Sequence, residues 1–488
     1  MRQFDIIIIG NGILGLSTAH ALMLEDPNLS IALIGPSHRS GGATMAAGAM
    51  LGCFGEVTKY TFQSEPAVQK FELSIRAKTM WDDWLESINM RNKVAERMVI
   101  DKGTFIILNS KSGVLDDENY QSIRDALIDK KECFEDVNPR NIRLINPIPD
   151  IRPLKATYLP NEGSINSLML IKNLQNALIS YRRVKFIDDE AIRTQHCIGK
   201  DHKVYTKLNH YSCKNILVAA GAFSQEIISH IPELSFKIPP IFSGVGCSLT
   251  LSQPAHQFTR VVRTPNRAGA CGIHVMGRDE NSLFIGASNY ISSIPKTKNK
   301  LRYIYYMTQY VMEQIDQRFH NAEVLQWFSG CRPVSLDSFP LFGETSIRGL
   351  WILSGTYRDG IHLSPVLATA MAKRILNKPE EIVSKAFVPE RIPIQTMDQA
   401  QSVDEFVAQT MASSYEHSIN LPRNGWDEQL PLLIKATVRR LYQELDCDFA
   451  LPIEILLMLQ REPQLVPWFR QYLQSVGSKR LDMAIFSH

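Results

Sequence analysis

Gly10-Asn11-Gly12-Ile13-Leu14-Gly15 is the stretch whose spacing carries the clearest chemistry in this 488-residue chain. In G-x-G-x-x-G the first glycine allows a tight turn. The second lets backbone approach a pyrophosphate, and the third lets helix pack close to strand. The flanking residues supply both elements. Ile6 to Ile9 form an unbroken β-branched run suited to a strand buried on both faces. Leu16 to Leu22 continue at helical spacing, so the helix N-terminus presents unpaired N–H groups and a positive dipole end to phosphates. The motif alone is weak evidence. Set between strand and helix, it predicts a dinucleotide site.

Three further stretches fit such a site. Ser30 to Ile34 reads as the second strand, where an acid about 20 residues past the glycines ordinarily holds the ribose hydroxyls. Here Gly35-Pro36-Ser37 follows and the acid is missing, which leaves Ser37, His38 or Arg39 to take that place. Ser40 to Gly52 is dominated by Gly and Ala, too apolar for a solvated linker and small enough to pack against something flat and rigid. Asn215 to Ser224 predicts a buried strand ending in small residues, where a returning strand would meet the cofactor. Leu350 to Leu353, a glycine turn and a helix from Val366 to Leu376 make a second strand–turn–helix unit. Its dipole end can face an anionic ring.

Composition bounds the remaining possibilities. Apolar content of 44%, charged content of 21% and a formal charge of +3 give no reason to expect nucleic acid or acidic lipid as a partner. No apolar run approaches the ~18 residues of a transmembrane segment. The first strand begins almost at once, leaving no room for a signal peptide, so a cytoplasmic location is expected. Eight cysteines, Cys197 among them, form no C-x-x-C pair, which predicts reduced thiols and no metal site.

The order of elements predicts an α/β protein with a Rossmann-like dinucleotide-binding domain. Helices are expected at 66–90 and 117–131, and the proline-rich 145–160 marks a crossing between layers. Strand–turn alternation from Pro239 to Tyr290 indicates an antiparallel-sheet second domain. Beyond Ser384 the character changes, and 399–416, 427–446 and 452–475 carry helical spacing, a separate helical appendage. The expected division is a discontinuous cofactor domain (1–90, 150–235, 325–384), a substrate domain (91–149, 236–324) and a helical C-terminal extension (385–488).

The glycine motif, the Ala/Gly segment at 42–52, LVAAGAFS at 217–224, SGCRPVSLDSFPLFG at 329–343 and SGTYRDGIHLSP at 354–365 occur in order. Together they resemble the FAD-dependent D-amino-acid oxidase family, and within it the glycine oxidase/sarcosine oxidase branch, over about residues 4–380. That resemblance implies an extended, non-covalent FAD. Gly10, Gly12, Ile13, Leu14 and Gly15 would meet its pyrophosphate, with Arg39 at the adenosine end. Ala43, Thr44, Ala46, Ala47 and Gly48 would flank the ring, and Ala220 and Gly221 would lie near the adenylate side. Arg358, Asp359, Gly360 and Ile361 would border the pyrimidine end.

Arg332 sits where this branch has the arginine that pairs a substrate carboxylate, a role for which a planar guanidinium is well shaped. His274 falls where the branch usually has a pocket tyrosine. An imidazole there can hydrogen-bond the carboxylate or accept a proton from the ammonium. Met50, Asn289 and Arg358 complete the implied substrate pocket. Met276-Gly277 and Asp359-Gly360 depart from the family's Pro-Arg and Asn-Gly. The implied activity is oxidation of a small amino acid or N-carboxymethyl amine, with oxygen reoxidising the flavin to give peroxide. Two alternatives stand beside it. One is a dehydrogenase of the same fold serving a quinone or protein carrier. The other is a flavin-bearing scaffold that binds a protein, or a second copy of itself, through residues 385–488.

Overall fold

The computed structural model describes residues 3–92, 96–196, 201–253, 258–267, 271–416, 419, 421–422 and 424–485. Cys197 lies outside these residues. The Ile6–Ile9 run lies at the centre of an eight-stranded sheet. Its strand, Gln3–Ile9, pairs in parallel with Ile31–Ile34 on one side and His210–Val218 on the other. Ile6 to Ile9 face Ile31 to Ile34 residue by residue, and all four isoleucines are at most 4% exposed. Burial on both faces is why this strand is continuously apolar rather than alternating. Val184–Ile187 and Leu350–Ser354 extend the parallel order outward. The helices Ile13–Glu25, Ser167–Ile179 and Ser364–Ile375 cover one face together with Glu65–Arg91.

The second sheet has eleven strands and is mostly antiparallel. Ile241–Ser252 pairs along its whole length with Val324–Ser335, and also with Ser282–Gly286, next to His274–Asp279. Gly41–Gly42 forms one edge, paired with Gly330 and Cys331, and Met50–Leu51 forms the other, paired with Gly163 and Ser164. The Ala/Gly segment therefore joins the two edges. Eight Cα steps from Gly42 to Met50 reach at most ~29 Å. A flat path of nine strands at about 4.8 Å spacing would span ~38 Å. The sheet must curl, and the Ala/Gly segment crosses its concave side.

Two long strands correct the expected division. Val324–Ser335 and Pro153–Ser164 belong to the second sheet, although they fall in 325–384 and 150–235. The second reads as a crossing because of its prolines. Pro153 is the first residue of the strand, and Pro160 falls where the register shifts between Lys102 and Thr104. At those positions a missing N–H costs little.

The tail forms helices Gln399–Glu416, Trp426–Leu445, Ile453–Arg461 and Val466–Ile485. It is not a separate appendage. Phe242, Ile291, Val334, Leu336 and Tyr357 share one hydrophobic core with Val403, Phe406, Leu441, Phe469 and Tyr472. The Phe242 and Phe469 rings stack at 5.6 Å, and Arg461 donates to the Ile291 carbonyl at 3.0 Å. Among the described residues no helix is long and apolar enough to cross a membrane.

Candidate active site

A cavity of ≈ 430 Å³ runs between the two sheets. Gly10, Gly12, Ile13 and Leu14 line one end, and His274 and Arg332 belong to the same lining. Gly10 holds φ +116, and a Cβ there would stand 2.3 Å from the Ala219 carbonyl oxygen, so the turn admits glycine only. Gly15 does not line the cavity. It is buried 2.0 Å (Cβ position to oxygen) from the Gly10 carbonyl, which makes it the close-packing glycine of the motif. No side chain caps the Ile13–Glu25 helix, and a Cβ on Gly12 would meet only Thr44 Oγ1, at 3.5 Å. The helix N-terminus thus opens on the cavity with room for a phosphate. The Ile13 N–H donates to Thr44 Oγ1 (3.2 Å), tying the glycine turn to the Ala/Gly segment.

Ala43, Thr44, Ala46, Ala47, Gly48 and Met50 all face this space, as do Ala220, Gly221 and Arg358 to Ile361. A Cβ on Gly48 would lie 2.8 Å from the Phe284 ring and 3.1 Å from His274 Nε2. The segment therefore has no room for side chains on that side, leaving a flat backbone surface. Beside the glycine turn Arg39 lines the cavity, with Nε donating to the Asn11 carbonyl (2.9 Å) and Nη2 buried without a partner among the described residues. Ser37 instead donates its N–H to Asp188 (2.8 Å) and is not among the lining residues. The carboxylates at this end are Glu190 and Glu226. They come from beyond the third parallel strand and from helix Ser224–Ser229, where a motif search along the second strand could not find them.

Arg332 lies on Val324–Ser335 with its guanidinium in the cavity lining. Nη1 donates to the Ser288 carbonyl (3.1 Å) and to Asn289 Oδ1 (3.2 Å). Asn289 in turn donates Nδ2 to the Tyr357 hydroxyl (2.6 Å). Asn289 is not part of the cavity wall, contrary to expectation. Its amide faces Arg332 and Tyr357 instead. Among the described residues Arg332 makes no ion pair, and these neutral acceptors leave its charge available. Glycine at 246 makes the space for it, since a Cβ there would stand 2.3 Å from Nη1. The same Cβ would stand 2.5 Å from the Ser288 carbonyl, so Gly246→Ala should displace the guanidinium together with the backbone oxygen that holds it. A shift on the order of 1 Å costs about 100-fold. Steady-state kinetics should show that loss for carboxylate-bearing substrates while the visible spectrum of bound flavin persists.

His274 is 3% exposed, and its ring stacks on Phe284 at 5.8 Å. Nδ1 lies 2.9 Å from the Gly272 carbonyl, an acceptor only, so Nδ1 carries the proton and Nε2 keeps its lone pair. Burial, aided by Arg263 and Arg332, lowers its pKa from 6.5 to about 4. Held that low, the ring resists protonation, and its Nε2 can accept a hydrogen bond from an amine. It has no N–H left to offer a carboxylate, so the expected hydrogen bond to the carboxylate falls away. Because the folded pKa lies below 6.5, the unfolded chain binds more protons between the two values. Stability is complete above about pH 6.5 and is lost as pH falls toward about 4. Urea unfolding across that window should show the fall, with a shallower slope in His274→Gln.

Tyr357, Cys271 and Glu56 also line the cavity and carry no sequence signal of their own, apart from Tyr357's place beside Arg358. Burial would raise Glu56, but Arg263 and Arg358 hold it below the usual range. Burial pushes Tyr357 up to about 12. Arg358 rises above its ordinary value despite its burial, through Tyr357, Cys271, Glu56 and Glu454. Asp359 is paired with Lys70 at 2.8 Å.

A glycine turn at a helix N-terminus, a flat small-residue segment and a second turn–helix facing one cavity define a dinucleotide-dependent redox protein. The chain belongs to the DAO family of FAD-dependent oxidoreductases, whose model matches residues 5–374. It is 22% identical over 391 residues to the glycine oxidase of Geobacillus kaustophilus (strain HTA426), covering 77% of this chain and 94% of that one. The crystal structure of a glycine oxidase from Geobacillus kaustophilus superposes with a TM-score of 0.67 at 19% identity, over 80% of this chain and 99% of that one. Iminodiacetate oxidase from Chelativorans sp. BNC1 gives 0.66 at 18% identity, over 79% and 99%. D-amino acid dehydrogenase of Neisseria gonorrhoeae (strain NCCP11945) is 24% identical over 232 residues, 46% of this chain and 52% of that one. The protein is thus an FAD-dependent oxidoreductase.

Proposed function

We propose that the protein oxidises an amine carrying an adjacent carboxylate, a small amino acid or an N-carboxymethyl secondary amine. The observation that carries this reading is Arg332, held in place by neutral acceptors and facing the cavity it shares with the neutral His274. FAD, held non-covalently along the glycine turn, the Ala/Gly segment and Arg358 to Ile361, supplies a two-electron acceptor for the carbon next to nitrogen. Arg332 clamps the carboxylate and so fixes that carbon. The substrate reacts as its neutral amine, and His274 Nε2 accepts a hydrogen bond from the amine N–H, orienting the nitrogen lone pair that assists C–H cleavage. The imine then takes up water and parts into an oxo acid and an amine. Glycine oxidase and iminodiacetate oxidase, both similar in fold, carry this chemistry in their names.

Anaerobic titration of the purified yellow protein tests the proposal, with glycine, sarcosine, D-alanine, D-proline and iminodiacetate as candidates. One of these should bleach the flavin band. A yellow protein that none bleaches overturns the substrate class. Acid precipitation should release the flavin, and flavin retained in the pellet would contradict non-covalent binding. Oxygen is proposed as the acceptor, so peroxide should form in step with substrate in air. Turnover that needs an added quinone would instead favour the dehydrogenase reading, which the similarity to D-amino acid dehydrogenase supports.

A further inference from the structure

Cationic side chains are unevenly placed in this protein. From Asn281 to Met312 the chain carries Lys296, Lys298, Lys300 and Arg302 and no carboxylate. Those four exceed the +3 of the whole chain, so the remainder is close to balanced and the total conceals a local excess. All four are exposed, and among the described residues none forms an ion pair. Lys300 and Arg302 lie against the stacked rings of Tyr290 and Tyr303, and Arg461 adds a fifth cation, 6.0 Å from Tyr290. The acids at the margin are Glu462, which accepts from Ser293 (2.5 Å), and Glu323, at the far end of the strand Val324–Ser335.

Apolar side chains project between these cations. Leu301, Arg302 and Tyr305 form the outward face of helix Leu301–Gln314, whose other face packs Met307 and Val311 into the core of the second sheet. Leu301 is 78% exposed, and Ile294 just before the helix is exposed as well. Trp327 stands opposite Leu249 and Ser329 opposite Cys247, so both lie on the sheet face that this helix covers. Trp327 is 48% exposed there, on a strand whose edge pairs with Gly41–Gly42 only at Gly330 and Cys331. The loop before the helix is fastened to the cofactor cavity. Thr297 lines that cavity, the Lys296 carbonyl accepts from Cys331 Sγ (3.2 Å), and Asn299 Nδ2 donates to the Gly246 carbonyl (2.9 Å) and to Ser329 Oγ (2.8 Å).

We propose that this face docks the protein on an anionic bilayer surface, its cations among the headgroups and Ile294, Leu301, Tyr305 and Trp327 at the headgroup–acyl boundary. Each cation near such a surface contributes about fivefold to partitioning. Single aliphatic and aromatic side chains set between Lys and Arg suit a boundary that is wet on one side and apolar on the other. A second copy of the chain fits poorly, since a twofold contact would set cation against cation. A protein partner anchors its side chains in pockets, and neither large cavity among the described residues is lined by Leu301, Tyr305 or Trp327. The docked face lies directly over the cofactor cavity through Thr297, and the inference is independent of which amine is oxidised.

The test uses the full-length holoenzyme and sedimentation with vesicles of phosphatidylcholine, alone or mixed with one third phosphatidylglycerol. Binding should be at least tenfold stronger to the anionic vesicles and should weaken as salt is raised. It should fall at least tenfold in Lys298→Glu/Lys300→Glu. Leu301→Ser, which keeps every charge, should weaken it several-fold. None of these positions lines the cavity, so an unchanged flavin content shows that the variants fold. Brominated acyl chains should quench tryptophan emission, and Trp327→Phe should remove that quenching. Equal binding to both vesicles, or binding that survives the charge reversal, overturns the proposal. Anionic binding with neither quenching nor sensitivity to Leu301→Ser overturns the insertion of apolar side chains. Binding to neither vesicle also overturns it, and retention on immobilised polyglutamate that the double substitution abolishes would assign the face to an acidic protein instead.

Discussion

Arg332→Ala is expected to lower kcat/KM for carboxylate-bearing amines by about 30-fold to several thousand-fold. Truncating one side of a desolvated, hydrogen-bonded charge pair costs roughly 2–5 kcal/mol, and each ~1.4 kcal/mol is tenfold in rate. The loss should be large because the site offers no substitute. Arg358 is directed toward Glu454 and Tyr357, and Lys70 toward Asp359. Arg332→Lys should recover part of it, keeping the charge and losing the two-pronged geometry. Flavin content should be unchanged, since Arg332 holds no part of the glycine turn or the Ala/Gly segment. Stopped-flow reduction by the substrate found in the anaerobic titration separates binding from chemistry. Unchanged reduction by a carboxylate-bearing amine in Arg332→Ala would sink the carboxylate assignment.

Removal of residues 385–488 is expected to abolish soluble expression. Phe242, Ile291, Val334, Leu336 and Tyr357 are each at most 7% exposed and lie in the core shared with the tail. Burying such a side chain contributes about 1.5–3 kcal/mol, an upper figure because unfolded chains already bury some surface. Five uncovered together approach the ~5–15 kcal/mol that a whole domain has to lose. The truncation also takes away Arg391, whose guanidinium pairs with buried Asp337 at 2.9 Å. A cut at residue 384 that left a soluble, fully active enzyme would show that the tail serves partners instead. The gentler Phe469→Ala should lower the thermal midpoint while leaving flavin binding intact, measured by flavin fluorescence on heating.

The parts of the site legible in the sequence are those where backbone geometry dictates residue type. Gly10 must be glycine because of its φ and the nearby Ala219 carbonyl, and Ile6 to Ile9 must be apolar because both faces are covered. The Ala/Gly segment is legible for a similar reason, since Phe284 and His274 leave no room for a Cβ at Gly48. Arg332 and His274 were legible only through the stretches around them. Their residue types alone would equally suit a buried ion pair or a packed imidazole. Asn289 was legible as a neighbour of the site but not in its role, because that role depends on the Tyr357 hydroxyl 68 positions away in the chain.

What the sequence determined by itself was local: the glycine turn, the parallel strands, the second turn–helix and the helical periodicity of the tail. Each follows from steric or periodic demands that operate within a dozen residues. Only the tertiary structure decided which protons and charges are available. The Gly272 carbonyl fixes the His274 tautomer, and the Ser288 carbonyl with Asn289 aims Arg332 without neutralising it. It also decided that Ala450 to Glu454 close a cavity beside Arg358, nearly a hundred positions earlier in the chain. Burial and hydrogen bonding are set by what meets across the fold, and no spacing along the chain encodes them.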